Sequence, residues 1–188
     1  MTESDDMPTV STDFLDIGDE SLYFDETPVA ETEALIAAAS ELYGEPEAEA
    51  KLLRAYFLAP EQLSVLVALY RYYFYQHRLD DTLVVADRSL VVSARRLDIS
   101  PDWQSLTPFV VSQAGGRNMG LLRFYLLALK GTAVVLLRLG RIVEARARLE
   151  KLLSLDDKDH LGAAALLAVV KEAQAESLLR PSLTLVAA

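Results

Sequence analysis

The feature that most constrains this chain is how little sequence separates its helical stretches. From Leu136 to Asp159 it reads LLRLGRIVEARARLEKLLSLDDKD: a helical end, a reversal at Gly140, a second helical stretch and an acidic stop. Two helices joined by a few residues must fold back against each other. The same grammar covers most of the chain. ETEALIAAASELY carries Leu35, Ile36, Ala39, Leu42 and Tyr43 at helical spacing and ends at Gly44, whose missing Cβ permits a left-handed C-terminal conformation. Pro46 starts EAEAKLLRAYFLA, Pro60 opens EQLSVLVALYRYYFYQHRL, and DDTLVVADRSLVVSARRL follows with Asp80 or Asp81 as its cap. The expected fold class is all-α, built from antiparallel helical hairpins.

The hairpins recur with a period. Counting from Ala145, large residues follow at Leu149 and Leu152, then Asp157; the rhythm returns at Ala48, Leu52, Ala55 and Pro60, and again at Thr82, Ala86 and Ser89, with 34 residues between Ala48 and Thr82. In the preceding helices Leu66, Leu69, Tyr70 and Tyr73 match Leu129, Thr132, Ala133 and Leu136. Small residues let two helices approach while a large one fills the gap beside them. This pattern resembles the tetratricopeptide repeat, which implies hairpins stacked as a short right-handed superhelix. The resemblance divides residues 29–176 into units 29–62, 63–96 and 126–159 and a capping helix 160–176, with a connector at 97–125 and a C-terminal tail at 177–188. Thr82 and Ser89 replace expected alanines, Tyr70 is large where a small residue is usual, and Tyr43 sits at a turn with its glycine displaced to Gly44.

Charge is distributed unevenly. Residues 1–50 hold 15 acidic residues and no Lys or Arg, which leaves 13 acidic against 18 basic residues in the remainder. Residues 1–28 read as an acidic, disordered arm, with two apolar clusters, Phe14, Leu15 and Ile17 and then Leu22, Tyr23 and Phe24, suited to docking in a groove. The start MTESDDMPTV lacks the basic and apolar regions of a signal peptide, and the apolar stretches are broken by Arg123, Lys130 and Arg138. A cytoplasmic protein without a membrane span is expected. The absence of cysteine removes disulfides and thiolate metal sites.

The connector contains ISPDWQSLTPFVVSQAGGRNMG: Trp103, Leu106 and Phe109 are expected to bury, Pro108 to limit regularity, and Gly115, Gly116 and Gly120 to allow a reversal before a long helix beginning near Asn118. It reads as a packed connector anchored by Trp103, the alternative being a lid or extra binding edge.

In repeats of this kind the first helix of each pair lines the concave face. The resemblance therefore implies a groove formed by Ser64, Val67, Arg71, Phe74 and Tyr75 in one unit and by Leu127, Lys130, Val134, Leu137 and Arg138 in the next. Aromatics beside arginines suit a peptide or protein partner that is both apolar and acidic. The arm has that composition and is a candidate occupant of the groove. Family members that clamp a peptide carboxylate use asparagines on this face, and Asn118 is the lone asparagine here.

Enzymatic chemistry is not expected. His77, in a turn, and His160, at a helix start, have no partner at metal-ligand spacing; DDKDH reads as capping rather than a calcium loop; AGGRNMG lacks the Gly-Lys-Ser/Thr ending of a phosphate loop. No cofactor or metal is implied. Nucleic acid is disfavoured by a pI near 4.7, and an aromatic groove is compatible with a homodimer. The expected function is a non-catalytic adaptor or assembly factor, with a chaperone for secretion substrates as the alternative. The run LAPEQLSVLVALYRYYFYQHRLDDTLVVADRSL is similar to small repeat proteins encoded near bacterial nitrogen-fixation genes, which implies an accessory role there.

Overall fold

The computed structural model describes residues 29–179, and among these every regular element is helical. α1 (Ala30–Glu41) pairs with α2 (Pro46–Leu58), and α3 (Leu63–Tyr75) with α4 (Leu79–Arg96). A short 3-10 turn at Trp103–Ser105 and α5 (Pro108–Arg117) then lead into α6 (Met119–Arg138), which pairs with α7 (Ile142–Leu155); α8 (Ala163–Leu179) closes on α7. The hairpins follow from their turns: Gly44 and Gly140 take φ of +99° and +73°, where a side chain would be strained.

One continuous core runs from α1 to α8. Its faces carry alanines of zero exposure (Ala48, Ala55, Ala94, Ala128, Ala133, Ala145) beside fully buried leucines such as Leu66, Leu129, Leu149 and Leu152. Thr82 and Ser89 are buried without cost to polar satisfaction: each hydroxyl donates to a backbone carbonyl one turn earlier, at Arg78 (2.8 Å) and Val85 (2.9 Å). Tyr70 is buried by stacking on Phe74 one turn later, with ring centroids 5.8 Å apart.

α6 is the central element. By length and composition it could cross a membrane, yet 67% of its most apolar window is buried inside the protein, as befits a core helix. It packs on α4 as well as on α7, so α4 and α6 are neighbours despite the connector between them. Its C-terminal end meets that of α3, where Arg138 lies over the Phe74 ring.

Several boundaries differ from expectation. Pro60 lies in a turn, and α3 begins at Leu63 because Gln62 is held extended with its amide buried between Thr32 (2.8 Å) and Ser64 (2.8 Å). α4 starts at Leu79, ahead of the acids thought to cap it; Asp81 instead binds Arg78 at 2.8 Å. α8 starts three residues after His160, where Asp159 accepts from the Ala163 amide at 2.6 Å.

The connector is packed, with Leu106 buried, Trp103 against the core and Arg148 of α7 at 5.4 Å from the indole centroid. Phe109, expected to bury, is 69% exposed: Pro108 starts α5, and once Val111 and Ala114 face inward, a residue two positions before Val111 points the other way. Gly115 and Gly116 are helical. The reversal falls at Asn118, which ends α5 and caps α6 by accepting from the Leu121 amide at 2.9 Å.

Two glycines thus answer oppositely to the same substitution. Gly140→Ala is expected to lower stability by about 1 kcal/mol, because its positive φ is strained for any side chain. Gly116→Ala, helical and with open space around the new Cβ, is expected to raise stability by about 0.5–1 kcal/mol, both read by urea denaturation.

Candidate functional site

The sequence of α3, LSVLVALYRYYFY, contains more aromatic residues than one buried helix face can absorb, so some must meet solvent or a groove. Tyr73 and Phe74 face the interior, Tyr72 is half-buried, and Tyr75 is 50% exposed. Beside Tyr72 and Tyr75 lies a cavity of about 280 Å³ between α1 and α3. Ile36, Ala39 and Ser40 of α1 form one wall, Ala68, Arg71 and the two tyrosines the other, with Leu52 of α2 at the floor and Tyr43 at the end. Tyr43 meets Tyr72 edge-on, centroids 6.4 Å apart. The result is an apolar slot rimmed by phenolic hydroxyls and one guanidinium.

A second aromatic group adjoins it. Phe74 stacks on Tyr70, takes the edge of Tyr75 at 5.8 Å, and is covered by Arg138, whose Cζ is 4.6 Å from its centroid. Arg138 also lies 3.2 Å from Nδ1 of His77, which turns the chain with φ of +58°. This contact joins the C-terminal ends of α3 and α6. Between them these two helices carry Arg71, Arg123, Lys130 and Arg138 and no carboxylate, whereas α1 carries Glu31, Glu33 and Glu41 and no basic residue.

The predicted groove residues are therefore divided. Arg71 and Tyr75 line the cavity, and Phe74 and Arg138 touch each other. Val67 and Val134 are 5% and 4% exposed and offer no surface. Lys130 and Leu137 are half-buried on α6, away from the cavity lining. Phe14, Leu15, Ile17, Leu22, Tyr23 and Phe24, assigned to arm docking, lie outside the described residues. Sequence reasoning missed Ile36, Ser40, Tyr43 and Tyr72. Carried back 34 residues, the groove position of Phe74 falls on Ser40, whereas no groove position falls on Ile36 or Tyr43, and Tyr72 lies between groove positions of its own helix.

A hydrogen-bonded cluster fixes α2 against the α3–α4 turn and so sets the far side of the slot. The Arg78 guanidinium binds Glu49 at 2.7 Å and Asp81 at 2.8 Å, the Tyr73 hydroxyl donates to Glu49 at 3.2 Å, and Arg78 lies 4.5 Å from the Tyr73 centroid. Burial, reinforced by the Glu49 charge, pushes the Tyr73 phenol up to about 12. Among the described residues no three His, Asp or Glu side chains converge as metal ligands do.

Comparison with known proteins gives one informative likeness. The chain is 45% identical over 170 residues, 90% of its own length and 95% of the other's, to an uncharacterized 19.8 kDa protein in the nifW 5' region of Azotobacter chroococcum mcd 1. No family model matches the chain, and no solved structure matches it.

The raised Tyr73 pKa carries a sign. The unfolded phenol ionises near 10 while the folded one holds its proton to about 12, so its contribution to stability is complete below pH 10 and lost as the pH rises toward 12. Tyr73→Phe should make stability fall less steeply across that window, and should remove one late-ionising phenol from an ultraviolet titration of the folded protein.

Proposed function

The chain belongs to the family of the 19.8 kDa protein in the nifW 5' region of Azotobacter chroococcum, and from that premise we propose that it is a non-catalytic adaptor or assembly factor in bacterial nitrogen fixation. It holds a partner peptide against α3 and the helices beside it. The observation that carries this reading is the slot between α1 and α3: apolar at its floor, walled by Tyr43, Tyr72 and Tyr75, and bounded by Arg71. Apolar burial supplies the affinity for such a peptide, while tyrosine hydroxyls and a guanidinium select for acidic groups on it. The cationic bias of α3 and α6 favours acidic partners in the same way.

The hairpins α1–α2, α3–α4 and α6–α7, closed by α8, suit a tetratricopeptide-like stack in which α1, α3 and α6 are the inner helices. The contact of Phe74 with Arg138 supports this register, since the two stand one position from equivalence in units 63–96 and 126–159, near the ends of successive inner helices. The protein acts in the cytoplasm and needs no cofactor.

The test is affinity purification of the full-length protein from cells grown under nitrogen-fixing conditions. Mass spectrometry should identify a defined partner with the wild type, and Arg71→Glu or Tyr75→Ala should reduce its recovery at least about 10-fold, a loss of roughly 1.4 kcal/mol. Arg95→Glu, on the outer helix α4, should retain it. Equal recovery with all variants would remove the slot from the binding surface.

A further inference from the structure

The slot is small. At about 280 Å³ it lies below the roughly 300–1,000 Å³ of small-molecule sites, so it suits one or two side chains of a peptide better than a cofactor. Two apolar clusters of this same chain, embedded in acids, have the matching chemistry. Residues 1–28 contain nine carboxylates and no basic residue, and Leu22, Tyr23 and Phe24 sit between Asp19 and Glu20 on one side and Asp25 and Glu26 on the other.

We propose that the Leu22–Tyr23–Phe24 segment occupies the slot between α1 and α3 of its own chain, as an internal competitor for the partner peptide. This rests on the reading of the slot as a peptide-binding site. Three observations carry it. Reach comes first: Phe24 and Leu22 precede Val29 by five and seven residues, which extended span about 17–23 Å at ~3.3 Å per residue, while the 12 residues of α1 measure about 18 Å at ~1.5 Å each. Doubling back along α1, Phe24 can therefore reach the part of the slot beside Ile36 and Ala39, and Leu22 can reach as far as Tyr43, about 21 Å from Val29. Charge comes second. α1 is acidic and would repel a carboxylate-rich strand, so the strand is drawn to the α3 wall, where Arg71 lines the slot. The side chains complete the match, because an aromatic pair entering beside Tyr43, Tyr72 and Tyr75 finds aromatic rings, the apolar wall of Ile36 and Ala39 and the Leu52 floor.

Tethering strengthens a weak contact. A segment held by so short a linker has an effective concentration in the millimolar range, so it excludes weaker peptides and yields to a partner that binds more tightly or engages a wider surface. The segment then acts as a threshold for partner binding.

The experiment replaces Tyr23 with the photo-crosslinking residue p-benzoylphenylalanine in the full-length protein, irradiates it, and maps the products by digestion and mass spectrometry. Expected are links within one chain to residues 36–43 or 71–75. Links only to α4 or α7, or none, would overturn the proposal; links between two chains would overturn it in favour of a second copy as the occupant. A second measurement uses a labelled synthetic peptide of residues 13–26 as the probe. It should bind the full-length variant Leu22→Ser/Tyr23→Ser/Phe24→Ser at least about 10-fold more tightly than wild type, the internal competitor being gone; equal affinity would overturn the proposal. The two readings separate cleanly. Arm links with no partner recovered would sink the adaptor function alone, and partner recovery sensitive to Arg71→Glu without arm links would sink the internal competitor alone.

Discussion

The packing of α6 on α4 is the constraint on which the rest of the structure depends. Most other extensively packed pairs, α1–α2, α3–α4, α6–α7 and α7–α8 among them, are consecutive and joined by a few residues, so proximity is given by the chain itself. α4 and α6 are separated by the connector, so their packing is a long-range tertiary contact. Both helices carry small buried residues, Ala86, Ser89, Ser93 and Ala94 on α4 and Ala128, Gly131, Thr132 and Ala133 on α6. Their hydroxyls are satisfied within their own helix, as at Ser93, which donates to the Ser89 carbonyl at 2.6 Å, and at Thr132, which donates to Leu129 at 2.7 Å. A small polar residue can thus be buried in these helices without leaving its hydroxyl unpaired.

The connector is held from both sides. Arg148 of α7 bonds Asp87 of α4 at 3.2 Å and lies over Trp103, and Lys151 donates to the Gln104 carbonyl at 2.7 Å. Arg117 at the end of α5 donates to the Leu97 carbonyl at 2.8 Å, binding the exit of α4 to the entrance of α6. These contacts set the spacing of α6 beside α4, and through α4 the position of α6 relative to α3. The contact of Arg138 with Phe74 is a consequence. At the other end of the molecule the buried Gln62 amide performs a comparable service, linking the α2–α3 turn to Thr32 of α1 and so fixing the width of the slot.

The slot itself was partly legible. Arg71 and Tyr75, which the tetratricopeptide resemblance assigns to a groove, line the slot together, because 3.6 residues per turn puts them on one face of α3. Val67 shares that face and is nevertheless buried, since burial depends on which helix covers a face at that level and not on the face alone. Tyr43 and Tyr72 become walls through a meeting of two hairpins, a relation to which neither local sequence refers.

By itself the sequence determined the helices, their small-against-large faces and the glycine turns, because propensity, 3.6-residue periodicity and backbone sterics act within a few residues. It also determined the opposition between an acidic N-terminal segment and a mildly basic remainder. The tertiary structure alone decided that Gly116 is helical and Asn118 the reversal, that Phe109 stays in solvent, and that α1 and α3 leave an apolar slot between them. Each of those outcomes depends on residues distant in sequence competing for the same buried space, and that competition has no local signature.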